Sequence, residues 1–317
     1  MNFRQLEYII TIYREGTLTR AAEKLFISQP ALTQQLQKLE KEIGTPLFDR
    51  TTTPLTPTYA GKYYLDIMEK ILYENQQALS WLEDINSLNR GKIVLGISDI
   101  RSLQFLPVLL PSFRKKFPYI EVEIKEAPAL SLPDMVKKGE IDFALMIARR
   151  DHTGLTFHPL LTEKVLLAVP KDYAINKACR ECVEKHGYID LKIVKDQPFI
   201  LLKKGFRLRN IAYELFQENG IMPPIVMKTV NVNLSHHMTS AGYGLSFVGE
   251  IAASLTQVDP VPCYYPVKGE SCTWELGIAY HPEKYISRAM KVFFEHVETE
   301  VQSIAAKQND YLPSGAR

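Results

Sequence analysis

The chain has 317 residues, 46% of them apolar and 23% charged, with a formal net charge of only +2. That balance leaves room for two or three domains with real cores, and it excludes extended disorder and a highly basic nucleic-acid coat. No apolar run reaches the roughly 18 residues of a membrane span. Four cysteines are too few for a disulfide scaffold. A soluble cytoplasmic protein without a membrane partner is the expectation.

Residues 1–58 read as a first domain, three short helices followed by the Thr/Pro-rich stretch TTTPLTPT at 51–58. Asn2 can cap the first, with Gln5 as a box partner, and Phe3, Leu6, Ile10 and Tyr13 mark its apolar face. Gly16 stops it. Thr17 can cap a second helix running to Leu25, in which Ala21 and Ala22 allow close helix approach. Ser28 can cap a third, with Pro30 tolerated in its first turn because those N–H groups lack partners. There Leu32, Leu36, Leu39 and Ile43 recur at helical spacing and should face the core. The opposite face carries Pro30, Thr33, Gln34, Gln37, Lys38 and Lys41. Amides and hydroxyls flanked by lysines suit base edges, since Gln can pair with adenine and Thr can meet a thymine methyl. A merely solvated face is the alternative.

The blocks TLTRAAEKL, SQPALTQQLQKLE, GTPLFDR and LTPTYAG, in that order, resemble the winged helix-turn-helix of LysR-type transcriptional regulators. The resemblance implies a turn motif at about 18–37, a recognition helix at 29–40 and a wing from Thr45 to Thr56. It implies that Ser28, Gln29, Pro30, Thr33, Gln34, Gln37 and Lys38 approach bases and phosphates of double-stranded promoter DNA. Thr17 and Arg20 would lie near the backbone, and Arg50 would reach phosphate or the minor groove from the wing. Family wings often carry more basic residues than the TTTP found here. Residues 1–60 hold seven Lys/Arg against six Asp/Glu, so a shallow salt dependence per protomer is expected.

Residues 59–90 read as one long helix. Tyr64, Ile67, Ile71, Ala78, Leu82 and Ile85 form a seam with steps mostly of three, four or seven. Pairing with a second chain would bury it; packing on the chain's own regulatory domain is the alternative. The resemblance implies a homodimer of antiparallel linker helices, extendable to a homotetramer, and RNA polymerase as a further partner.

From Lys92 short apolar runs alternate with helical segments, as in parallel strands joined by helices. GEIDFALM, AGYGLSFVG and PSFRKKFPYIEVE resemble the LysR-type effector-binding domain, which implies a two-lobed α/β fold like type 2 periplasmic binding proteins. Lobe 1 would comprise 91–163 and 268–303, and lobe 2 164–267, followed by a fraying tail, 304–317. Gly249 stands where the family often has proline, and 171–197 is longer than usual.

Effector-binding residues are expected past strand carboxyl ends, near helix N-termini: Ser98, Arg101, Ser102, Pro128, Phe206, Arg207 and Asn231. The two arginines and the helix termini favour a carboxylate effector, with plain surface arginines as the alternative. Cys179 and Cys182 form CxxC with His186 nearby, but a zinc site wants four ligands, so no metal or cofactor is assigned. No GxSxG, HExxH or phosphate-binding GxxxxGK[ST] occurs. The expected function is a sequence-specific transcriptional regulator, not an enzyme. A small-molecule carrier and an α/β enzyme using the same cleft are the competing readings.

Overall fold

The computed structural model describes residues 3–86, 91–148, 154–269 and 272–311. The chain divides into two units, Met1–Leu88 and Asn89–Arg317. In the first unit α1 (Phe3–Glu15), α2 (Leu18–Lys24) and α3 (Gln29–Ile43) precede a two-stranded wing, β1 (Phe48–Asp49) and β2 (Thr56–Pro57), and the long α4 (Tyr59–Asn86). The Thr17 hydroxyl accepts from the Arg20 amide and the Ser28 hydroxyl from the Ala31 amide, so both expected caps form. Gly44 ends α3 in a left-handed conformation, φ 82°. The proposed Asn2 cap lies outside the described residues.

The helix-3 stripe packs inward as its spacing predicts: Leu32, Leu36 and Leu39 are buried, and Ile43 packs against their cluster. Helix 1 differs. Ile9 and Ile12 are buried alongside Leu6 and Ile10, whereas Phe3 is exposed. A single stripe was expected, but α1 meets α2, α3 and α4 at once and buries a broader face. The same core takes in Leu65 and Met68 of α4, so it runs straight across residue 58. At that junction the Thr58 hydroxyl donates to the Pro46 carbonyl and accepts from the Gly61 amide. Gly61 lies against the backbone of Leu47.

In the second unit β3 (Gly91–Ile97), α5 (Asp99–Lys116), β4 (Ile120–Glu126), α6 (Leu132–Lys137) and β5 (Phe143–Ile147) form the expected β-α-β-α-β run. The 14-residue β6 (Thr156–Val169) leads to α7 (Asn176–His186), a 3-10 turn (Leu191–Val194), β7 (Phe199–Leu202), α8 (Arg207–Glu218) and β8 (Ile225–Thr229). Then follow α9 (Val232–Ser240), β9 (Ser246–Gly249), α10 (Glu250–Leu255), β10 (Cys263–Pro266), β11 (Thr273–Tyr280) and α11 (Arg288–Tyr311).

Only part of the sheet is parallel. Among the described residues the order is β10-β6-β11-β5-β3-β4, with β9 also on β6. β3 pairs in parallel with β4 and β5, whereas β11, β9 and β10 all run antiparallel to their neighbours. The length of β6 explains this. Its residues 156–164 pair with β11, and residues 165–169 pair with β9 and β10. One strand therefore serves two lobes, each with its own core: Ile93, Leu95, Phe105, Phe113 and Phe293 in one, Phe199, Leu201, Leu215 and Phe247 in the other. The return strand β11 makes the sheet mixed. Two boundaries shift. Ile251 of α10, numbered within the expected second lobe, packs in the first lobe's core. The tail expected to fray from 304 is helical to Tyr311.

Candidate functional site

On α3, Gln29, Pro30, Gln34, Gln37 and Lys38 are exposed and Thr33 is half-buried. The structure thus brings the expected base-facing residues onto one outward surface. The Gln29 amide donates to the Thr33 hydroxyl (3.0 Å), and that hydroxyl donates to the Gln29 carbonyl (2.9 Å), which orders the first turn of the face. Thr17 and Ser28 sit at the N-termini of α2 and α3, and Arg20 is exposed one turn into α2. One residue of this region escaped the sequence reading: Phe26, in the turn between α2 and α3, is 95% exposed at φ 55°. Exposure of a bulky residue at a left-handed φ leaves no signal in apolar periodicity.

Arg50 is exposed on the wing, its side chain 49% accessible, and its guanidinium pairs with Glu40 at 2.7 Å. The other Glu40 oxygen accepts from the amides of Leu47 (2.8 Å) and Phe48 (3.3 Å). Glu40 therefore ties the wing's base to α3, and Arg50 completes that tie. Beside it Asp49 accepts from the hydroxyl and amide of Thr51, which hold its carboxyl below the usual carboxylate range. The wing presents little free positive charge.

The linker seam divides in two. Tyr64 and Ile67 pack against the winged unit's own core, not on an outward seam, because the first turns of α4 are needed to close that core. Farther along, Ile71, Ala78 and Leu82 are exposed on one helical face, with Leu79 and Trp81 exposed beside it. The side chain of Ile85 lies outside the described residues.

Of the expected effector residues, Ser98 and Ser102 lie at the start of α5, past the carboxyl end of β3. Ser102 hydrogen-bonds the Glu126 carboxylate at the end of β4, two residues before the exposed Pro128. Phe206 and Arg207 begin α8 past β7. Asn231 caps α9 past β8, accepting from the Leu234 amide. Arg101 requires correction. It is 7% exposed, donates to Glu163 at 2.6 Å and to Gln104 at 2.9 Å, and so is committed inside the protein. Arg207 is exposed, lies over the Trp274 ring at 5.8 Å and donates to the Thr273 carbonyl. Ser102 and Glu126, like Arg101 and Glu163, were not connectable from sequence, since the partners lie 24 and 62 positions apart.

Cys179 is buried, which pushes its thiol up to about 12 and keeps it protonated at neutral pH. Cys182 lines a surface groove of about 1240 Å³ beside Lys185, Lys192, Glu181 and Asp190. Among the described residues no group of three His, Cys, Asp or Glu could hold a metal ion, and no helix is long and apolar enough to cross a membrane.

Residues 3–62 match the model of the bacterial regulatory helix-turn-helix protein, lysR family, and residues 86–302 match the LysR substrate binding domain. The chain is 30% identical over 305 residues to the uncharacterized HTH-type transcriptional regulator YcgK of Bacillus subtilis (strain 168), covering 93% of each chain. Among solved structures it is similar to full-length CbnR complexed with its target DNA (TM-score 0.60, 23% identity, covering 95% of this chain and 100% of that one). It is also similar to a full-length OxyR variant from Pseudomonas aeruginosa (TM-score 0.64, 22% identity, 95% of each chain). With an N-terminal helix-turn-helix, a linker helix and a mixed α/β substrate-binding domain, this chain belongs to the LysR family of DNA-binding transcriptional regulators.

Proposed function

We propose that this regulator reads its operator with the exposed face of α3, and that a small organic anion binding in the second unit alters that recognition. The LysR family is one of regulators, not enzymes, and the observation carrying the reading is the outward row Gln29, Pro30, Thr33, Gln34, Gln37 and Lys38. Amide and hydroxyl groups specify bases, while Lys38, Arg20 and the N-termini of α2 and α3 hold phosphates and set register. With Arg50 paired to Glu40, sequence preference rests on α3 more than on the wing. The chain acts as a dimer through the exposed part of α4, extendable to a tetramer, with RNA polymerase as the partner through which DNA binding becomes transcription.

A duplex selected from genomic fragments by the full chain tests the first part. Gln34→Ala should relax the preference at one base position and weaken binding by about 1–3 kcal/mol. Lys38→Ala should weaken all sequences alike and lower the salt slope by about 1. Failure of the native chain to select any duplex would refute the reading.

For the effector, the loss of Arg101 leaves Arg207, Ser98, Asn231 and the N-termini of α5, α8 and α9 as the groups that would meet a carboxylate. Titration calorimetry with a panel of organic acids should show binding that falls about tenfold or more in Arg207→Ala. Full affinity in that variant would remove the anion argument. Effector and operator must influence each other by the same factor, because binding linkage is reciprocal.

A further inference from the structure

β6 passes from one lobe to the other between Lys164 and Val165, and Glu163 is the last residue but one before the passage. Its side chain is 1% exposed. Three donors from three other elements converge on it. One oxygen accepts from Arg101 of α5 (2.6 Å) and from the Trp274 indole of β11 (2.5 Å), and the other from the Ile251 amide of α10 (3.0 Å). Those elements include the other segments by which the chain moves between lobes. β9 leads into α10, which packs in the first lobe's core, and β11 carries the chain back. The Trp274 ring in turn carries the Arg207 guanidinium at the start of α8.

Gly249 shows how closely this cluster is fitted. Its φ of −73° and ψ of 146° suit any residue, proline included. A Cβ there would stand 2.3 Å from the Glu163 carboxylate and 3.1 Å from the Trp274 ring. Glycine is therefore required by the carboxylate and not by the backbone. This accounts for the departure from proline noted at this position.

We propose that Glu163 is a positioning residue for the regulatory response. It clasps the first turn of α5 to the N-terminus of α10 and, through Trp274, to the first turn of α8, so that neither lobe's helix terminus can shift independently. The proposal rests on the reading that an effector meets those termini. An effector that displaces α5 or α8 must then move the clasp as a unit and with it the junction of the lobes. A carboxylate withdrawn from water is held firmly only while all its donors stay in place, so displacing one of them loosens the whole cluster.

The test uses the full chain without effector, so it stands even if no organic acid binds. Thermal unfolding and hydrogen exchange are measured for Arg101→Met, Glu163→Gln, the double variant and Gly249→Ala. Either single change at the ion pair should lower the melting temperature, and the double variant should regain part of the loss, since no buried charge is left unpaired while an amide that has only one acceptor oxygen still faces the donors Trp274 and Ile251. Exchange should nevertheless remain raised, about tenfold, at both 99–104 and 250–252 in the double variant and in Gly249→Ala. A double variant that recovers native exchange at both segments would overturn the proposal, reducing the cluster to a stability feature. So would a Gly249→Ala effect confined to residues next to 249.

Discussion

Gly61→Ala is expected to unfold the first unit well below the native melting temperature, although alanine is the better helix former by about 1 kcal/mol. The reason is local. A Cβ at position 61 would stand 1.9 Å from the Leu47 carbonyl oxygen and 2.7 Å from its carbon. Both are backbone atoms, so no rotamer change relieves the contact. The same carbonyl accepts from the Thr58 amide at 2.9 Å, and Leu47 itself is fully buried. Pushing α4 away from Leu47 therefore strains the wing's base and opens the core that Leu65 and Met68 complete. Overpacking of this kind costs about 2–3 kcal/mol net. For a unit of this size that is a fall of about 10 °C or more in melting temperature. Scanning calorimetry of the full chain should show the loss in the transition of the first unit alone, with duplex binding lost alongside it. An unchanged thermogram would mean that α4 can lift from Leu47 at no cost.

Ile71→Asp combined with Leu82→Asp is expected to yield a folded monomer. Both side chains are exposed in the single chain, so the charges cost the fold little, within about 0.5 kcal/mol. At a helix pair the same charges would be withdrawn from water without partners. Sedimentation should show dissociation at micromolar concentration. Operator affinity should fall about 10²–10⁴-fold, because two linked half-site readers become independent. Ile67→Asp should behave differently. Ile67 packs in the winged unit's core, so a carboxylate there unfolds the reader itself. A native assembly state in the Ile71/Leu82 double variant would reject the seam.

The winged unit was largely legible because its signals are local. Thr17 and Ser28 lie immediately before their helices, and Leu32, Leu36 and Leu39 repeat within one helix, so periodicity and cap chemistry fix both. The amide face of α3 follows as the complement of the buried one. What escaped depends on distant partners. Arg50 and Arg101 look like free cations in the sequence, yet each is matched to a carboxylate that becomes its neighbour only in the fold. Glu163 reads as the polar start of an apolar strand, and nothing in EKVLLAV shows that it is buried. Likewise the short runs announce strands but not their direction; β11 turns the sheet mixed because the chain must return from the second lobe. Gly61 was visible within the LTPTYAG block, but the reason for it, the approach of Leu47, is tertiary.

The pairing of Arg50 with Glu40 bears on how the regulator finds its target in a crowded chromosome. Every stretch of DNA competes for a cationic protein, and decoys hold most copies of a strongly basic one. Here the wing's single guanidinium pairs with Glu40 while staying half-exposed, and residues 1–60 carry seven Lys/Arg against six Asp/Glu. On the proposed reading fewer molecules should be sequestered on irrelevant sequence, so that in a competition titration with random DNA occupancy of the operator should track the quality of the base match more than the quantity of competitor.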